Sequence, residues 1–329
     1  MPHPPIHFSP SHRITSRYVS MNRIKASATK ILTLCLGTAA LCGPAAAQTA
    51  GTYQATNLIS DGSVPATVTD ANFINPWGIA DGPAFWINAE DTGLDYGAQA
   101  TGTIAFKVTI PAASGTGTGS PAGAVLTGAA TGFVLPNGTK ASFLFSTLDG
   151  TISGWNGKLG TAGSVAQITI NNSAANAKYT DLALLTNANG SYILAANFGQ
   201  STAVEVYDNT FRPAQLAGSF TDPHLPANYA PFAVHVLGTQ VFVTYALRTS
   251  TTPPSYDEVV GPGNGLVDVF DTSGNFVTRA ITGGNLNAPW GVAIQLPSAS
   301  TAAISSSATS ATASSTHTTP QPTPTAVRS

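Results

Sequence analysis

The sequence predicts an all-β fold, and within that class a β-propeller built from four-stranded antiparallel blades. Composition supports the first step, because 32 glycines and 23 prolines among 329 residues disfavour long helices. Short runs of valine, isoleucine, phenylalanine and tyrosine alternate with Asn-Gly and Asp-Gly pairs, which suit the tight turns of antiparallel hairpins. No stretch has the apolar spacing of an amphipathic helix. The choice of a propeller within the all-β class depends on a repeat.

The first element of the repeat is a proline, or a residue in its place, followed by small and apolar residues. The positions 76, 121, 179, 231 and 289 are separated by 45, 58, 52 and 58 residues, close to the length of a four-stranded blade. The five copies are PWGIA (76–80), PAGAV (121–125), YTDLA (179–183), APFAV (230–234) and PWGVA (289–293).

Three further elements follow in a fixed order. Second elements are predicted at FWIN (85–88), FLFST (143–147), YILAAN (192–197) and VFVTYA (241–246). Third elements are predicted at GTIAFKV (102–108), GTISGWN (150–156), TAVEVYD (202–208) and GLVDVFD (265–271). A weaker fourth strand is predicted at VAQITI (165–170), AQLAGSF (214–220) and NFVTRAI (275–281).

This order predicts about four complete blades and the start of a fifth. A four-stranded blade cannot cover both of its faces alone, so blades stack face to face around an axis. We expect the small residues Gly78, Ala80, Gly123 and Gly291 to let the innermost strands crowd that axis. We expect Trp77, Trp86, Phe232 and Trp290 to fill the space between blades. A β-sandwich is the rival fold, but it does not predict a repeated four-element order.

Residues 1–47 are predicted to be a cleaved signal peptide, with Met21 as an alternative start. Three basic residues after Met21 precede a short apolar run at 31–41, and alanines 45–47 form an A-x-A cleavage site. The apolar run is shorter than the ~20 residues that a membrane span needs. We therefore expect a secreted or periplasmic protein whose mature chain has no transmembrane segment.

Cleavage after Ala47 would leave a cysteine-free, acidic chain. Cys35 and Cys42 both precede the cleavage site, which excludes disulfide and thiolate chemistry in the mature protein. Five of the 13 lysines and arginines also precede it, whereas all 15 acidic residues follow it, so the mature formal charge is −7. This balance excludes a nucleic-acid partner, which needs a basic face.

Several blocks resemble the signature blocks of a family of exported bacterial proteins, known mainly as conserved hypothetical proteins. They are NPWGIA (75–80), DGTISGWN (149–156), FTDPHLPANYAPFAV (220–234), GPGNGLVDVFD (261–271) and LNAPWGVA (286–293). The resemblance covers roughly residues 53–296. It implies a propeller of about six blades, akin to NHL-repeat proteins. It implies no activity, and no catalytic residue is carried over from it.

Members of that family continue beyond the last PWG block, so the resemblance implies that this copy is truncated at its C-terminus. The propeller domain is then predicted to span residues 48–297, with YQATNLIS (53–60) as its closing strand. Residues 298–329 are rich in Ser, Thr, Ala and Pro and are predicted to be disordered. A natural linker or glycosylated stalk is one explanation of this tail, and a frameshift is the favoured one.

Candidate site residues are mainly carboxylates and amides, because standard catalytic motifs are absent from the sequence. Lactonase-type propellers hold a divalent cation with Glu, Asp and Asn at the channel mouth, and such oxygen ligands suit Ca²⁺. The metal candidates near predicted strand ends are Asp81, Asn88, Asp149, Asn197 and Asp257, together with Asp91. These residue types also form turns. Asp208 and Asp271 end equivalent strands and are predicted to be turn formers.

Two histidines of the predicted domain are interpreted as structural. His235 is expected to be hydrogen-bonded near the channel, and His224 to be solvated on a loop.

Three functions remain open. The favoured one is a non-catalytic binding module for a protein, a glycan or a small molecule. The alternatives are a divalent-cation-dependent hydrolase or lyase of the lactonase-like type, and a non-functional truncated copy.

Overall fold

The computed structural model describes residues 56–250, 252, 253, 256–294 and 311–315. Their regular structure is almost entirely β, with three short 3₁₀ turns at Glu90–Thr92, Gly157–Leu159 and Ser173–Ala175 and no α-helix in the described ranges. The predicted all-β class is therefore confirmed. The predicted signal peptide, residues 1–47, lies outside the described residues.

Antiparallel sheets follow one another along the chain. A parallel pair, β1 (Ile59–Ser60) and β2 (Val68–Thr69), precedes sheet 1, whose strands are β3 (Pro76–Ala80), β4 (Phe85–Ala89), β5 (Leu94–Ala98) and β6 (Ile104–Thr109). Sheet 2 contains β7 (Pro121–Leu126), β8 (Phe143–Thr147), β9 (Thr151–Trp155) and β11 (Gln167–Asn171), while β10 (Ser164–Val165) pairs in parallel with β6.

Sheet 3 has three strands and sheet 4 has four. Sheet 3 contains β12 (Tyr179–Asn187), β13 (Gly190–Asn197) and β14 (Val204–Asp208). Sheet 4 contains β15 (Tyr229–Leu237), β16 (Gln240–Leu247), β17 (Gly265–Asp271) and β18 (Phe276–Thr282). The last pair is β19 (Pro289–Ile294) with β20 (Ala311–Ser315).

Every predicted first element lies on β3, β7, β12, β15 or β19, and every predicted second element lies on β4, β8, β13 or β16. Two predictions of later elements were wrong. GTIAFKV (102–108) overlaps the fourth strand of sheet 1, because Leu94–Ala98 forms the third strand. AQLAGSF (214–220) forms no strand; beside β14 only an isolated bridge joins Tyr207 to Pro213. The backbone N–H of Ala214 still donates to the carbonyl oxygen of Val206 at 2.8 Å, but no strand continues beyond this bridge.

The first strands of the sheets form a continuous circuit. β7 packs on β3, β12 on β7, β15 on β12 and β19 on β15, and rings from β3, β15 and β19 meet. Gly78 and Gly123 make this packing possible. A Cβ atom on Gly78 would lie 2.4 Å from the carbonyl oxygen of Ala122, and one on Gly123 would lie 2.7 Å from the backbone nitrogen of Leu182. Gly291 has no such neighbour within 4 Å among the described atoms.

Apolar side chains fill the space between successive sheets. Between sheets 1 and 2, the rings of Trp86 and Phe143 stack with centroids 3.8 Å apart, and Phe145 and Trp155 belong to the same buried cluster. The expectation that Trp86 lies between neighbouring sheets is confirmed.

The two ends of the predicted domain differ from expectation. In the predicted closing strand (53–60), Ile59–Ser60 pairs locally with Val68–Thr69 rather than with the last sheet, and residues 53–55 lie outside the described residues. Within the predicted disordered tail, Ala311–Ser315 forms an antiparallel strand against β19. The rest of residues 298–329 lies outside the described residues, so the prediction for the tail stays a prediction.

Candidate functional site

The candidate site arises from an irregularity that all five first strands share. In each of them the strand register shifts immediately after the proline position. Such a bulge re-aims the extra side chain and bends the strand. The residues at these bulges are Trp77, Ala122, Thr180, Phe232 and Trp290. Because three of the five are large aromatic residues, one end of the circuit carries a group of rings.

Those rings contact one another across the circuit. Trp77 meets Trp290 edge to face at a centroid distance of 6.2 Å and Phe232 at 6.0 Å. Phe232 is buried against Phe198, whereas Trp77 and Trp290 are only half-buried. The indole nitrogen of Trp77 donates to Asn75 Oδ1 at 3.1 Å. Two tryptophans therefore present fixed, partly open surfaces.

A buried carboxylate lies beside these rings. Asp181 Oδ2 accepts a 3.0 Å hydrogen bond from the backbone N–H of Val234 and lies 3.9 Å from His235 Nε2. His235 Nε2 donates to the carbonyl oxygen of Trp290 at 2.7 Å. Burial raises the pKa of Asp181 to about 6, although His235 and the N–H of Val234 oppose this rise. We call Trp77, Asp181, Phe232, His235 and Trp290 the axial cluster.

Two acidic side chains accept hydrogen bonds from Asn75, whose side-chain oxygen accepts the indole N–H of Trp77. Asn75 Nδ2 donates to Glu90 Oε2 at 2.7 Å and to Asp91 Oδ1 at 3.2 Å. Burial, reinforced by the neighbouring Asp91, raises the pKa of Glu90 to about 7. This side of the axial cluster can therefore both donate and accept hydrogen bonds near neutral pH.

A basic residue contacts Tyr256, a buried neighbour of the rings. Lys178 Nζ contacts Asp257 Oδ1 at 3.0 Å and donates to the carbonyl oxygen of Tyr256 at 2.7 Å. Tyr256 itself is buried with Phe232 and Phe198 in the core beneath the axial cluster. The rings are thus bordered by charges of both signs.

The structure does not bring most of the predicted metal candidates together at one site. Asn197 Oδ1 accepts from the backbone nitrogen of Lys178 at 3.0 Å, and the side chain of the same lysine pairs with Asp257. These two candidates therefore share one neighbour. Asp149 lies between β8 and β9, where its Oδ1 accepts from the backbone nitrogen of Ser120 at 3.1 Å and burial raises its pKa.

The remaining candidates lie apart. Asp81 is exposed after β3, Asn88 is buried on β4, and Asp91 is exposed beside Asn75. Among the residues that the structure describes, no group of three or more His, Cys, Asp or Glu side chains is arranged to hold a metal ion. A calcium site at these positions stays a prediction.

The predicted turn formers and histidines are where the sequence placed them. Asp208 Oδ1 accepts from the backbone nitrogens of Thr210 and Arg212, and Asp271 caps its turn in the same way. His224 is exposed on its loop.

Sequence reasoning missed Asp181, although a signal was present. Asp181 lies two residues after the proline position of its first element, and the other four first elements have glycine or alanine there: Gly78, Gly123, Ala233 and Gly291. A charged residue at a position that is otherwise kept small marks the site.

Two buried polar networks were also missed. Glu205 accepts hydrogen bonds from the hydroxyls of Tyr179 and Tyr207 at 2.5 and 2.6 Å. Burial alone would raise the pKa of Glu205, but these hydrogen bonds hold it below its usual value. In sheet 4, Arg279 bridges the buried carboxylates of Asp222 and Asp268. No sequence motif announces either network.

The chain is similar in sequence to uncharacterized viral proteins. No family model matches the chain. It is 28% identical over 264 residues to uncharacterized protein R648 of Acanthamoeba polyphaga mimivirus, covering 76% of this chain and 62% of the relative. It is 27% identical over 257 residues to uncharacterized protein L690 of the same virus, covering 73% and 64%. The chain thus spans less than two thirds of the length of these relatives.

Solved structures overlap only loosely. A protein of unknown function from Bacteroides caccae superposes with a TM-score of 0.29 and 12% identity, over 62% of this chain and 80% of that one. BBS1N, crystallised in complex with ARL6DN, superposes with a TM-score of 0.33 and 15% identity, over 65% and 70%. In the described residues, no helix has the length and apolar character needed to cross a bilayer.

Proposed function

We propose that this protein is an exported β-propeller that works as a binding module, and that its ligand contacts the axial cluster. In this proposal sheets 1 to 4 are successive blades, and β19 begins the next one. The circuit of first strands, with a bulge at the same place in each, supports a propeller, because blades place their first strands around one axis. Export follows from the predicted signal peptide.

The observation that carries the binding proposal is the pair of half-buried tryptophans. Large aromatic side chains are enriched where proteins contact ligands, since they bury much apolar area while losing little rotamer freedom. Trp77 and Trp290 are held by neighbouring rings and by hydrogen bonds to Asn75 Oδ1 and to the Thr180 carbonyl oxygen. Their surfaces are therefore ordered before a ligand arrives, which lowers the entropic cost of binding.

The polar groups beside the rings indicate the class of ligand. Glu90, Asp91 and Lys178 offer acceptors and a donor around an apolar platform. A ligand that combines an apolar face with several hydroxyl groups, as a sugar ring does, fits that arrangement best. We therefore favour a glycan over a protein or an apolar small molecule.

A glycan array probed with the purified full-length protein tests this proposal. The wild-type protein is expected to bind a defined subset of glycans, and Trp77→Ala and Trp290→Ala should each weaken that binding by about tenfold or more. Val277→Ala is the matched control, because Val277 is an exposed apolar residue of β18 in sheet 4. Unchanged binding by both tryptophan variants would refute the placement of the site.

A second candidate function rests on Asp181 and His235. A buried carboxyl whose pKa is raised to about 6, next to an imidazole, is the kind of pair that transfers protons near neutral pH. This favours a hydrolase or lyase as the alternative. Turnover of simple lactones that is lost in Asp181→Asn but kept in Asp257→Asn would support the enzyme and count against a purely binding role.

A further inference from the structure

Sheet 1 contains a buried polar pair that has no counterpart in the other sheets. Asn88 on β4 and Asp95 on β5 are directly opposite each other in the strand register. Both have an exposed fraction of 0%. Among the described residues, neither the two carboxylate oxygens of Asp95 nor the amide atoms of Asn88 have a hydrogen-bond partner. A carboxylate buried in this way is costly unless a cation or hydrogen-bond donors accompany it.

The same register position in the other sheets is apolar. In each sheet, the proline position of the first strand pairs with a residue of the second strand. The second-strand residue just before that partner pairs in turn with a residue of the third strand. That third-strand residue is Asp95 in sheet 1. The equivalent residues are Ile152, Val204 and Val267, all buried. Asp95 therefore replaces an aliphatic core residue, and the fold does not require a carboxylate there.

Asn88 is also larger than the residues at the equivalent positions of sheets 2 and 4. Ser146 and Thr244 occupy its position in sheets 2 and 4, and each hydroxyl accepts the N–H of the neighbouring bulge, from Gly123 at 3.1 Å and from Ala233 at 3.0 Å. Either hydroxyl residue would serve that structural role in sheet 1. The asparagine adds a second polar group, next to Asp95.

A third unpartnered oxygen lies on the face of sheet 2 that packs against sheet 1. Asp95 also pairs with Val108, and Val108 and Trp86 belong to the buried cluster between sheets 1 and 2. Ser153 on β9 is the partner of Phe145, which lies in that same cluster. The hydroxyl of Ser153 is buried and likewise has no partner within the described ranges. The space between the sheets thus receives carboxylate, amide and hydroxyl oxygens from three strands.

Other buried aspartates of the chain are accompanied by a compensating group. Asp222 and Asp268 share the guanidinium of Arg279, and Asp181 has a backbone N–H and His235. For Asp95 no described side chain has that role, and burial alone raises its pKa well above the ordinary value. The nearest strand contributes Lys107, whose Nζ pairs with Asp70 and lies over the ring of Tyr96.

We propose that Asn88 and Asp95, with Ser153 opposite, form a buried site for one monovalent metal cation. Oxygen ligands of these types suit hard cations. A single positive charge neutralises Asp95, the one charged ligand of the set, whereas a divalent ion would leave a net charge in the interior, which is unfavourable. The ion would lie between sheets 1 and 2 and contact both.

Thermal unfolding at constant ionic strength tests the site. Sodium or potassium chloride replaces N-methyl-D-glucamine chloride stepwise, and circular dichroism of the full-length protein reports Tm. A ligand bound only by the folded state raises stability with the logarithm of its concentration above Kd. We expect about 3 to 5 °C for each tenfold increase in the preferred ion. Asp95→Val, which introduces the residue type of the equivalent positions, should fold without the ion and show no response.

Two further variants keep the test decisive. Asp257→Asn removes an exposed carboxylate elsewhere and should retain the full response to the ion. Asp95→Asn preserves the shape of the side chain if the valine variant does not fold, and it too should lose the response. Equal Tm values of the wild-type protein in all three salts would overturn the proposal. So would a response that persists without Asp95, or one produced by calcium chloride alone.

Discussion

Replacing Gly123 by alanine should separate the first strands of sheets 2 and 3. The added Cβ would lie 2.7 Å from the backbone nitrogen of Leu182 and 2.8 Å from the Cα of Asp181, whereas ordinary contact begins at 3.4 Å. These two atoms belong to the backbone of β12 and cannot move aside as a side chain can; the third close atom, Ser146 Oγ at 2.7 Å, is a side-chain atom. The two strands must therefore move apart by roughly 0.7 Å, the difference between the ordinary and the close contact.

The expected loss follows from two opposing effects. Inserting a methyl group into a packed core costs about 1–3 kcal/mol. Alanine also restricts the unfolded chain more than glycine, which returns about 0.4–1 kcal/mol. The net destabilisation should be about 1–2 kcal/mol, or a fall in Tm of about 2–8 °C for a domain of this size.

Gly291→Ala is the matched control, because Gly291 occupies the same place in the last first strand but has no described atom within 4 Å of an added Cβ. Only the unfolded-state effect then remains, so its Tm should stay the same or rise slightly. Differential scanning calorimetry of both variants gives the comparison. If Gly123→Ala is as stable as the wild type, or if Gly291→Ala is destabilised equally, the close packing of the first strands is wrong.

Two other variants probe the buried charges. Since its folded-state pKa is raised to about 6, Asp181 contributes stability that is present below about pH 4 and lost as the pH rises through 6. The free energy of unfolding of Asp181→Asn should therefore exceed that of the wild type by up to about 3 kcal/mol at pH 8 and by little at pH 4. Urea unfolding at the two pH values measures this difference, and an equal effect at both would contradict it. Arg279→Met leaves Asp222 and Asp268 buried without their shared cation and should cost about 3–5 kcal/mol; thermal unfolding that stays at the wild-type Tm would show that the bridge is unimportant.

Much of the strand order could be predicted from the sequence because the first element is locally distinctive. A proline or its equivalent, a bulged residue and a small residue recur in five strands, and that local pattern directly reflects the bulge and the close packing. The third strand of sheet 1 was missed because LDYGA (94–98) contains an aspartate and a glycine, which resemble a turn more than a strand. Its burial depends on sheet 2, which lies far along the chain.

The site was predictable to a smaller degree. Asp181 differs from the four other residues at its repeat position, so comparison of the repeats could have identified it. Asp95 could not be found in this way, because its strand was not recognised and its equivalents were therefore unknown. The pairing of Arg279 with Asp222 joins residues 57 positions apart. Such contacts depend on how loops fold over the sheets, and no periodic pattern specifies that.

Tryptophan fluorescence during a ligand titration tests the binding proposal most directly. Trp77 and Trp290 are half-buried, whereas Trp86 and Trp155 are only 3% and 5% exposed, so a ligand at the axial cluster should change the emission of the first two alone. With the best glycan from the array, the account predicts a saturable blue shift and protection from iodide quenching in the wild-type protein. Both effects should be absent from the Trp77→Phe, Trp290→Phe double variant. Saturable binding that leaves the emission and quenching of the wild type unchanged would contradict the account.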